Sequence, residues 1–492
     1  MNDQPGSLRA HTMRGVGWSI VQNWGGKVFT FMLSILLARL LSPEEFGVAS
    51  AAWLALMLVP LVAEMGFGDA IMQRRGLKDA DVNLPFWLAS AIASALVVVV
   101  VILREPIAQW AGLGDRESYL VAIAATILIS VPTGFQEAFY KRHMKFKQLA
   151  VRSFAANISG GIAAVAAAAL GFGVWSFVVQ MYVSLVINVV WIWARPEWLP
   201  GLRMEPRAFL QMARFGAPVL AQRLVDFAGT RMLDFMIIAK IGLVGYGIYV
   251  VGSRLYLTMM QLLQGAFQDV SLTVLSTIAH ERERVAEVYR KTISLSATAM
   301  LPVFVLLSAL APEICLVLFG HKWVGVDRVA QPLLLMGAIH CVQYINGSFL
   351  SARGKPELIL VTGVVKSALQ IAALLLVPGG NVQTLTLTFV MATVLASPLS
   401  FYVLSRELGI SMGQIASLLA RPAAMSAACF AAVHFARPAV EELSLPALFQ
   451  GGVLGTLFTG LYLVLLVIFD RHKAMGYADF VLQMAQRKIR YR

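Results

Sequence analysis

The chain has 492 residues, of which 58% are hydrophobic and only 14% are charged, and its net charge at pH 7 is +13. Soluble domains have about 25% charged residues, so this composition excludes a soluble globular protein and predicts an integral membrane protein. The positive charge does not indicate nucleic-acid binding, because the basic segments lack the interleaved aromatic residues on which bases stack.

Apolar segments long enough to cross a bilayer recur along the whole chain. A spanning helix needs about 20 predominantly apolar residues. Fourteen segments meet this requirement, and polar loops closely flank the thirteenth on both sides. The predicted spans are residues 15–40, 46–67, 83–104, 118–140, 150–170, 173–194, 215–240, 246–267, 292–311, 328–351, 358–377, 382–405, 421–437 and 446–469. We therefore predict an all-α integral membrane protein with about fourteen transmembrane helices.

The positions of Lys and Arg predict the orientation of these helices. If both termini are cytoplasmic, the cytoplasmic segments hold 28 of the 40 basic residues and the outer loops hold 7, including Lys240 and Arg437. The positive-inside rule favours this topology over its inverse. The basic residues at or near the ends of the spans are counted with the adjoining loops, and five cations lie deeper inside the spans: Lys27, Arg223, Arg231, Arg254 and Lys366.

The seventh span carries a stripe of polar residues. At about 100° per residue, Arg223, Asp226 and Asp234 fall on one narrow face, and Arg231 lies at its edge. A charge at the bilayer centre costs at least about 2.5–3.5 kcal/mol, so such residues line a cavity or form pairs. The i,i+3 spacing of Arg223 with Asp226, and of Arg231 with Asp234, also allows neutralised structural pairs.

Other ionisable residues also lie inside the spans, and two of them, Lys27 and Arg254, have no acidic partner at helical spacing on the same helix. Lys27 and Arg254 lie in the first and eighth spans, where each can line the same cavity, snorkel to the interface or pair across helices. Glu64 is the only carboxylate well inside the second span and is placed to meet one of these cations. His340 is the only histidine deep in a span, and we interpret it as a packed, hydrogen-bonded residue.

A shift of 200 positions aligns the start of the chain with its middle. The aligned pairs are Arg14 with Arg214, Gln22 with Gln222, Thr30 with Thr230, Gly47 with Gly247, Phe67 with Phe267 and Asp69 with Asp269. The polar face, the turn and the closing Phe-x-Asp keep one register. This repeat predicts two homologous halves that face each other across a polar cavity.

Signatures of catalysis and of metal binding are missing from the sequence. There is no nucleophile elbow, Walker loop, dinucleotide-binding glycine pattern, zinc-ligand spacing or kinase motif. The three cysteines lie at unrelated spacings. We expect a protein that is not an enzyme and that needs no metal or cofactor, so uphill transport would draw on an ion gradient, the membrane potential or product removal.

Four segments carry a resemblance to a known family: LARLLSPEEFG at 37–47, GFGDAIMQR at 66–74, LFGHKW at 318–323 and SARGKP at 351–356. With them the chain resembles the polysaccharide exporters of the multidrug, oligosaccharidyl-lipid and polysaccharide (MOP) superfamily, nearest to the capsular and colanic-acid (Wzx-type) flippases. The resemblance implies a MOP flippase-like fold of two pseudo-symmetric six-helix bundles plus two C-terminal helices. The implied domains are residues 1–200 and 201–410 for the bundles, 411–470 for the additional helices and 471–492 for a basic cytoplasmic tail.

The same resemblance implies the function. It predicts a flippase that moves undecaprenyl-diphosphate-linked oligosaccharide repeat units across the bacterial inner membrane for capsule, exopolysaccharide or O-antigen synthesis. The expected partners are this polyprenyl-diphosphate-linked glycan and membrane lipid, with a polysaccharide polymerase and a chain-length regulator as candidate protein partners.

Alternating access of the two halves is the expected mechanism, and it assigns roles to the polar residues inside the spans. Lys27, Arg223, Arg231 and Arg254 are the candidates for binding the diphosphate, because cations in a partly hydrated cleft attract phosphate strongly. Gln22, Asn23 and Gln222 are candidates for contacting sugar hydroxyls, and Glu64, Asp226 and Asp234 are candidates for balancing the charge of the cavity.

Other functions stay open at this point. A drug or metabolite exporter, or a lipid II flippase of the same superfamily, would share most of these features. A polymerase or ligase of the same pathway would need a large outer loop with catalytic Arg or His, and every predicted outer loop is short. A scaffold without transport activity would leave the charges inside the spans unexplained.

Overall fold

The structure of the chain is a computed structural model that describes residues 25–470 apart from Arg75 and residues 279–280. The side chains of Gln73, Phe215, Asp226, residues 264–278 and Pro356 are not described either. The candidate residues Gln22 and Asn23, the tail 471–492 and the side chain of Asp226 therefore lie outside the described residues.

Helices account for the regular secondary structure of the described residues, which contain no strand. The helices are α1 (residues 25–40), α2 (Pro43–Leu56), α3 (Leu58–Glu64), α4 (Phe67–Gln73), α5 (Asp79–Ile102), α6 (Arg104–Trp110), α7 (Glu117–Arg142), α8 (Phe146–Ala169), α9 (Trp175–Trp193), α10 (Pro206–Ile241), α11 (Leu243–Ile278), α12 (Arg282–Ala299), α13 (Leu301–Ala309), α14 (Ala311–Phe319), α15 (Val326–Ala352), α16 (Pro356–Leu376), α17 (Val382–Leu408), α18 (Met412–Glu441) and α19 (Ala447–Phe469).

Among the described residues, eleven helical segments are long and apolar enough to cross a membrane, with α2 joined to α3 and α12 joined to α13 as single spans. They coincide with eleven of the fourteen predicted spans. The other three predicted spans coincide with α1 and with the two 36-residue helices α10 and α11. The predicted class, an all-α integral membrane protein, is confirmed. The count of fourteen is compatible with this structure and stays a prediction.

The helices pack into two compact units. The first unit consists of the described residues up to Arg254 together with Leu374–Leu385, and the second consists of Leu255–Ala373 and the described residues from Thr386 onward. Within the first unit, α10 packs against α3, α4 and α5. Within the second unit, α13 packs on α15 and α18, and α14 packs on α15 and α19. The predicted boundary at residue 200 follows the sequence repeat and stays a prediction.

The first family segment, at residues 37–47, builds the start of α2. Ser42 is the N-cap, and its side-chain Oγ accepts a 3.3 Å hydrogen bond from the backbone N–H of Glu45. In return the Glu45 carboxylate accepts a 2.7 Å hydrogen bond from the backbone N–H of Ser42. This reciprocal capping box, followed by Pro43 in the first turn, fixes the point at which α2 begins.

The second family segment, at residues 66–74, forms α4 and its connection to α3. Met65 and Gly66 both have positive φ angles of 45° and 72°, which turn the chain sharply between the two helices. Arg142, from the end of α7, donates to the carbonyl oxygens of Ile71 and Arg74 at the end of α4. A basic side chain at this position satisfies carbonyls that have no partner within the helix. Both contacts hold α4 in place within the first unit.

The fourth family segment, at residues 351–356, contains the turn that ends α15. Gly354 has a φ of 70°, and the N–H of Lys355 donates to the carbonyl of Leu350 at 2.9 Å. This is the six-to-one bond of a Schellman motif, which requires a residue in the left-handed region. The contacts described here therefore fix helix ends.

Helix α2 and the start of α11 cross with their backbones in contact. A Cβ atom added to Gly47 would overlap the carbonyl oxygen of Leu243, and a Cβ added to Gly247 would overlap the carbonyl oxygen of Pro43. Both glycines are buried. Because 43 and 243, like 47 and 247, are pairs of the 200-residue repeat, the contact is reciprocal. A reciprocal contact of this kind is what a local twofold relation between two helices produces.

Helix α18 is longer than the predicted span 421–437, because it runs from Met412 to Glu441 and includes Arg437. The Arg437 guanidinium donates to both carboxylate oxygens of Glu313 on α14, at 3.0 and 3.1 Å, and to the carbonyl of Ala309 at 2.5 Å. This bidentate pair neutralises the cation, so the helix continues past a residue that we had assigned to an outer loop.

Candidate functional site

The candidate site residue Arg223 lies on α10 and pairs with a residue of α4. Its guanidinium donates to the Asp69 carboxylate at 2.6 Å, within the first unit. The sequence spacing had predicted a pair with Asp226, whose side chain lies outside the described residues. The observed pair connects two helices that are 154 positions apart in the sequence. A charge-assisted bond of this kind is stronger than a neutral hydrogen bond.

Glu64, at the end of α3, completes a charge cluster with Asp69 and Arg223, which we call the α4–α10 cluster. The Glu64 carboxylate lies over α7, where a Cβ added to Gly134 would be 3.2 Å from its Oε1. Its strongest electrostatic interaction with a charged side chain is with Arg223, followed by those with Glu137, Lys141 and Asp69. Among the predicted cations of the spans, Arg223 is the one whose charge acts on Glu64. Asp69 is thus the carboxylate bonded to Arg223, and Glu64 adds a second negative charge to the cluster.

A second cluster joins the end of α10 to the start of α11. Arg231 pairs with Asp234 at 3.5 Å, which confirms the predicted i,i+3 ion pair. Asp234 is buried, at 5% exposure, and it also accepts a hydrogen bond from the hydroxyl of Tyr246. Arg254, two turns further along α11, interacts electrostatically with Tyr246. We call these four residues the α10–α11 cluster.

The cations differ in how far they are neutralised. Arg223 and Arg231 each face a carboxylate, whereas half-buried Arg254 forms no ion pair within the described residues. Lys27 is half-buried on α1, and Gln222 is exposed on α10. Of the three site arginines, Arg254 is thus the one without a carboxylate partner among the described residues.

Two members of these clusters were missed by sequence reasoning. Asp69 lies in the second family segment and in the 200-residue repeat, so its position was marked, but nothing in the sequence indicated its contact with Arg223. Tyr246 aligns with Phe46 in the repeat, and the added hydroxyl is the signal that could have identified it. Within the described residues, no group of three or more His, Cys, Asp or Glu side chains is placed to hold a metal ion.

The sequence of the chain is similar to those of known polysaccharide biosynthesis proteins. The sequence profile of a family described as polysaccharide biosynthesis protein matches residues 36–327. The chain is 28% identical over 312 residues to the succinoglycan biosynthesis transport protein ExoT of Rhizobium meliloti (strain 1021), and the match covers 63% of each chain, so it spans less than two thirds of that relative. It is 21% identical over 419 residues to the lipopolysaccharide biosynthesis protein WzxC of Escherichia coli (strain K12), covering 83% of this chain and 84% of WzxC.

A solved structure of the lipid II flippase MurJ, in an inward closed conformation, has the same fold. The TM-score is 0.71 at 14% sequence identity, and the match covers 92% of this chain and 99% of MurJ. At this identity the likeness concerns the fold alone. It confirms the predicted flippase-like arrangement of helices.

Proposed function

The chain belongs to the polysaccharide biosynthesis protein family, and from this premise we propose that it is a flippase for undecaprenyl-diphosphate-linked oligosaccharide repeat units. The cargo would serve the synthesis of capsule, exopolysaccharide or O-antigen. The observation that carries the proposal is the pair of charge clusters on α10 and α11, inside a fold shared with a lipid flippase. Charges kept inside membrane helices are costly, and an anionic cargo gives them a function.

The two charge clusters suggest how the diphosphate is bound. Arg254 offers a cation that no carboxylate neutralises among the described residues, so it makes the first contact. Arg223 then exchanges Asp69 for a phosphate oxygen, because a guanidinium binds phosphate and carboxylate with the same planar fork. Arg231 and Lys27 extend the basic surface. The sugars follow the diphosphate into the cavity while the polyprenyl chain stays in lipid.

The protein is a multi-pass membrane protein, and we place it in the bacterial inner membrane with both termini in the cytoplasm. The distribution of basic residues supports this orientation. The two repeat-related halves would open alternately to the two sides of the membrane. Transport of this kind changes no covalent bond, so we assign no enzymatic activity. A polysaccharide polymerase and a chain-length regulator are the proposed protein partners.

The direct test is the location of lipid-linked repeat units in a deletion strain. We expect undecaprenyl-diphosphate oligosaccharide to accumulate on the inner leaflet, measured by mass spectrometry of lipid extracts, and surface polymer to be lost. Normal polymer without accumulated lipid would contradict the proposal and direct the search to drug or metabolite efflux.

Complementation of this strain tests the site residues. The double variant Arg223→Ala with Arg254→Ala should reduce surface polymer at least about tenfold at unchanged protein level, because charge-assisted contacts to phosphate are lost. The matched control is Arg203→Ala, which removes a guanidinium that is 81% exposed in the connection between α9 and α10. Normal export by the double variant would overturn the site assignment.

A lipid II flippase is the second candidate, favoured by the fold shared with MurJ. That function would make the gene essential for growth of the cell wall. A viable deletion strain with an intact wall would reject it and leave the polysaccharide precursor as cargo.

A further inference from the structure

The second unit contains a cavity that the proposed diphosphate site does not use. Its volume is about 440 Å³, which lies within the range of 300–1,000 Å³ typical of small-molecule sites. Helices α11, α15, α16 and α17 form its walls. The polar lining residues on which the argument depends are Tyr256, His340, Gln343, Thr362, Lys366 and Ser400.

The charge of this cavity is positive. Lys366 is its cation, and none of the described lining residues is acidic. Lys366 is half-buried and forms no ion pair with any residue in the part of the chain that the structure describes. An ammonium group inside a membrane protein without a neutralising carboxylate is costly, so a ligand that supplies one negative charge would stabilise it.

The imidazole of His340 adds a hydrogen-bond donor with a defined direction. Its Nδ1 lies 2.7 Å from the hydroxyl of Tyr256. If Tyr256 donates this bond, the proton of the imidazole resides on Nε2. That atom is buried and has no hydrogen-bond partner among the described residues. A buried polar atom without a partner is costly, and His340 lines the cavity, so a ligand oxygen is the group that would satisfy it.

Two further polar groups of the lining contact neighbouring side chains. The side-chain amide of Gln343 lies 3.3 Å from Oγ of Ser397, whose hydroxyl proton is donated to the carbonyl of Thr393 at 2.8 Å. Asn346 donates to Oγ of Ser400 at 3.0 Å, which leaves the Ser400 hydroxyl as a donor. The cavity thus presents several donors around one ammonium group, beside the apolar side chains of Leu257 and Met260.

We infer that this cavity binds an acidic sugar residue of the transported oligosaccharide, with Lys366 contacting its carboxylate. One ammonium matches one carboxylate, the surrounding donors match ring and hydroxyl oxygens, and Leu257 and Met260 match the apolar face of a pyranose. A diphosphate is also an anion but carries more charge than one carboxylate. Guanidinium groups such as those on α10 and α11 bind phosphate through two parallel hydrogen bonds, so they suit a diphosphate better than the single ammonium of Lys366 does. The inference rests on the proposed flippase function, because the sugar arrives as part of the lipid-linked cargo.

The cavity wall also offers a way to close the site without changing its charge. Gly363 on α16 lines the cavity, and a Cβ built on it would meet no atom within 4 Å. A leucine at this position would project into open space. Since glycine is unfavourable within a helix, Gly363→Leu does not weaken the helix itself.

The test measures binding of soluble sugars to the full-length chain in lipid nanodiscs by saturation-transfer NMR. Methyl β-D-glucuronide and methyl β-D-glucoside are the probes, because they differ only at C6, which is a carboxylate in the first and a hydroxymethyl group in the second. We expect the glucuronide to bind about tenfold more tightly than the glucoside, the effect of one charge-assisted hydrogen bond. Lys366→Met and Gly363→Leu should each abolish this preference, and Lys366→Arg should retain part of it.

The matched control is Lys355→Met, which removes an exposed lysine just before α16. It should bind the glucuronide like the unaltered chain. Equal binding of the two sugars, or a preference that survives Lys366→Met, would overturn the inference. Inorganic pyrophosphate is the third probe. If it displaces the glucuronide and binds more tightly in a Lys366-dependent manner, the cavity is a diphosphate site and the sugar assignment is wrong.

Because this assay requires no transport, it separates the two proposals. A Lys366-dependent preference for the glucuronide in a protein whose deletion leaves polymer unchanged would retain the cavity and reject the flippase. Loss of polymer in the deletion strain without that preference would retain the flippase and reject the acidic-sugar site.

Discussion

At the scale of a single residue, Arg223 shows how a charge can be held inside a membrane helix and still be available. Its side chain is 41% exposed, and the Asp69 side chain that pairs with it is 22% exposed. Fully exposed pairs contribute about 0–1 kcal/mol, whereas breaking a fully buried pair costs about 3–5 kcal/mol. A pair of intermediate exposure is stable enough to persist and weak enough to exchange its carboxylate for phosphate.

Substitution of Asp69 tests this exchange. In Asp69→Asn the competing carboxylate is gone, so we expect KM for a lipid-linked oligosaccharide to fall by about five- to tenfold. Turnover should fall as well. In the variant no carboxylate at position 69 competes for Arg223, so the diphosphate is released more slowly. Initial transport rates in proteoliposomes measure both effects.

Asp115→Asn, in an exposed connection before α7, is the control and should change neither parameter. An increase in KM of the Asp69 variant would mean that Asp69 positions Arg223 for the ligand rather than competing with the ligand.

Local spacing accounts for the part of the site that could be predicted at this scale. Arg231 and Asp234 are three residues apart on one helix, so their pairing follows from helical geometry alone. Arg223 and Asp69 meet only because α10 packs against α4. Lys366 was visible in the sequence as a cation inside a span, but the cavity around it depends on four helices. Contacts between segments that are distant in the sequence leave no local sequence pattern, so they could not be predicted in this way.

At the scale of helices, two glycines allow α2 and the start of α11 to pack closely within the first unit. Small residues let two backbones approach, which is a common way to pack helices in membranes. Gly47 and Gly247 serve this purpose on α2 and α11, and each faces the other helix's first turn. Bulk at either position would push the two helices apart.

Alanine substitution measures the closeness of this crossing. Gly47→Ala and Gly247→Ala should each destabilise the protein by about 1–3 kcal/mol, because the added methyl group overlaps a backbone carbonyl that cannot move independently. Thermal unfolding of the purified protein, followed by intrinsic fluorescence, is the measurement.

The matched control is Gly68→Ala on α4, where a Cβ would have no atom within 4 Å. It should be neutral or slightly stabilising, since alanine is the better helix former. If Gly47→Ala and Gly247→Ala behave like this control, then the two backbones are not in contact.

The extent of α18 was harder to predict than its existence. The charged residues Arg437, Glu441 and Glu442 lower the mean hydropathy of the segment, so the predicted span stops at residue 437. The bidentate contact of Arg437 with Glu313 removes the reason for the helix to stop. A partner on another helix changes the cost of a charge, and a sequence window does not contain that partner.

At the scale of the whole molecule, composition and periodicity predicted the class, and packing decided the division into units. Long apolar segments predict membrane helices because the bilayer leaves no alternative for the backbone. The 200-residue repeat gave the related pairs Gly47 with Gly247 and Pro43 with Leu243. It did not indicate that α10 packs with α3, α4 and α5 in one compact unit. The repeat reflects similarity between two segments of the sequence, whereas the two compact units are defined by contacts in the folded chain.

The proposed orientation of the molecule makes a simple prediction. Single cysteines introduced as Asp115→Cys and Lys355→Cys should lie on opposite sides of the membrane, because the outer loops are poor in basic residues and the cytoplasmic loops are rich in them. The three natural cysteines are buried and provide little background. A membrane-impermeant maleimide applied to spheroplasts should label the cysteine at 115 and spare the one at 355.

Permeabilised spheroplasts are the control, since both positions should then react. Labelling of position 355 alone in intact spheroplasts would show that the topology is inverted. Equal labelling at both positions would show that one of the intervening segments does not cross the membrane.

The crossing of α2 and α11 is made of backbone atoms, and this sets the kind of energy that holds it. Carbon–carbon dispersion contributes only about 0.1–0.2 kcal/mol per atom pair and has no dependence on ionic strength or proton concentration. The four residues in contact there, Pro43, Gly47, Leu243 and Gly247, carry no charged side chain. The stability of this crossing should therefore depend on side-chain volume at Gly47 and Gly247 and be indifferent to salt.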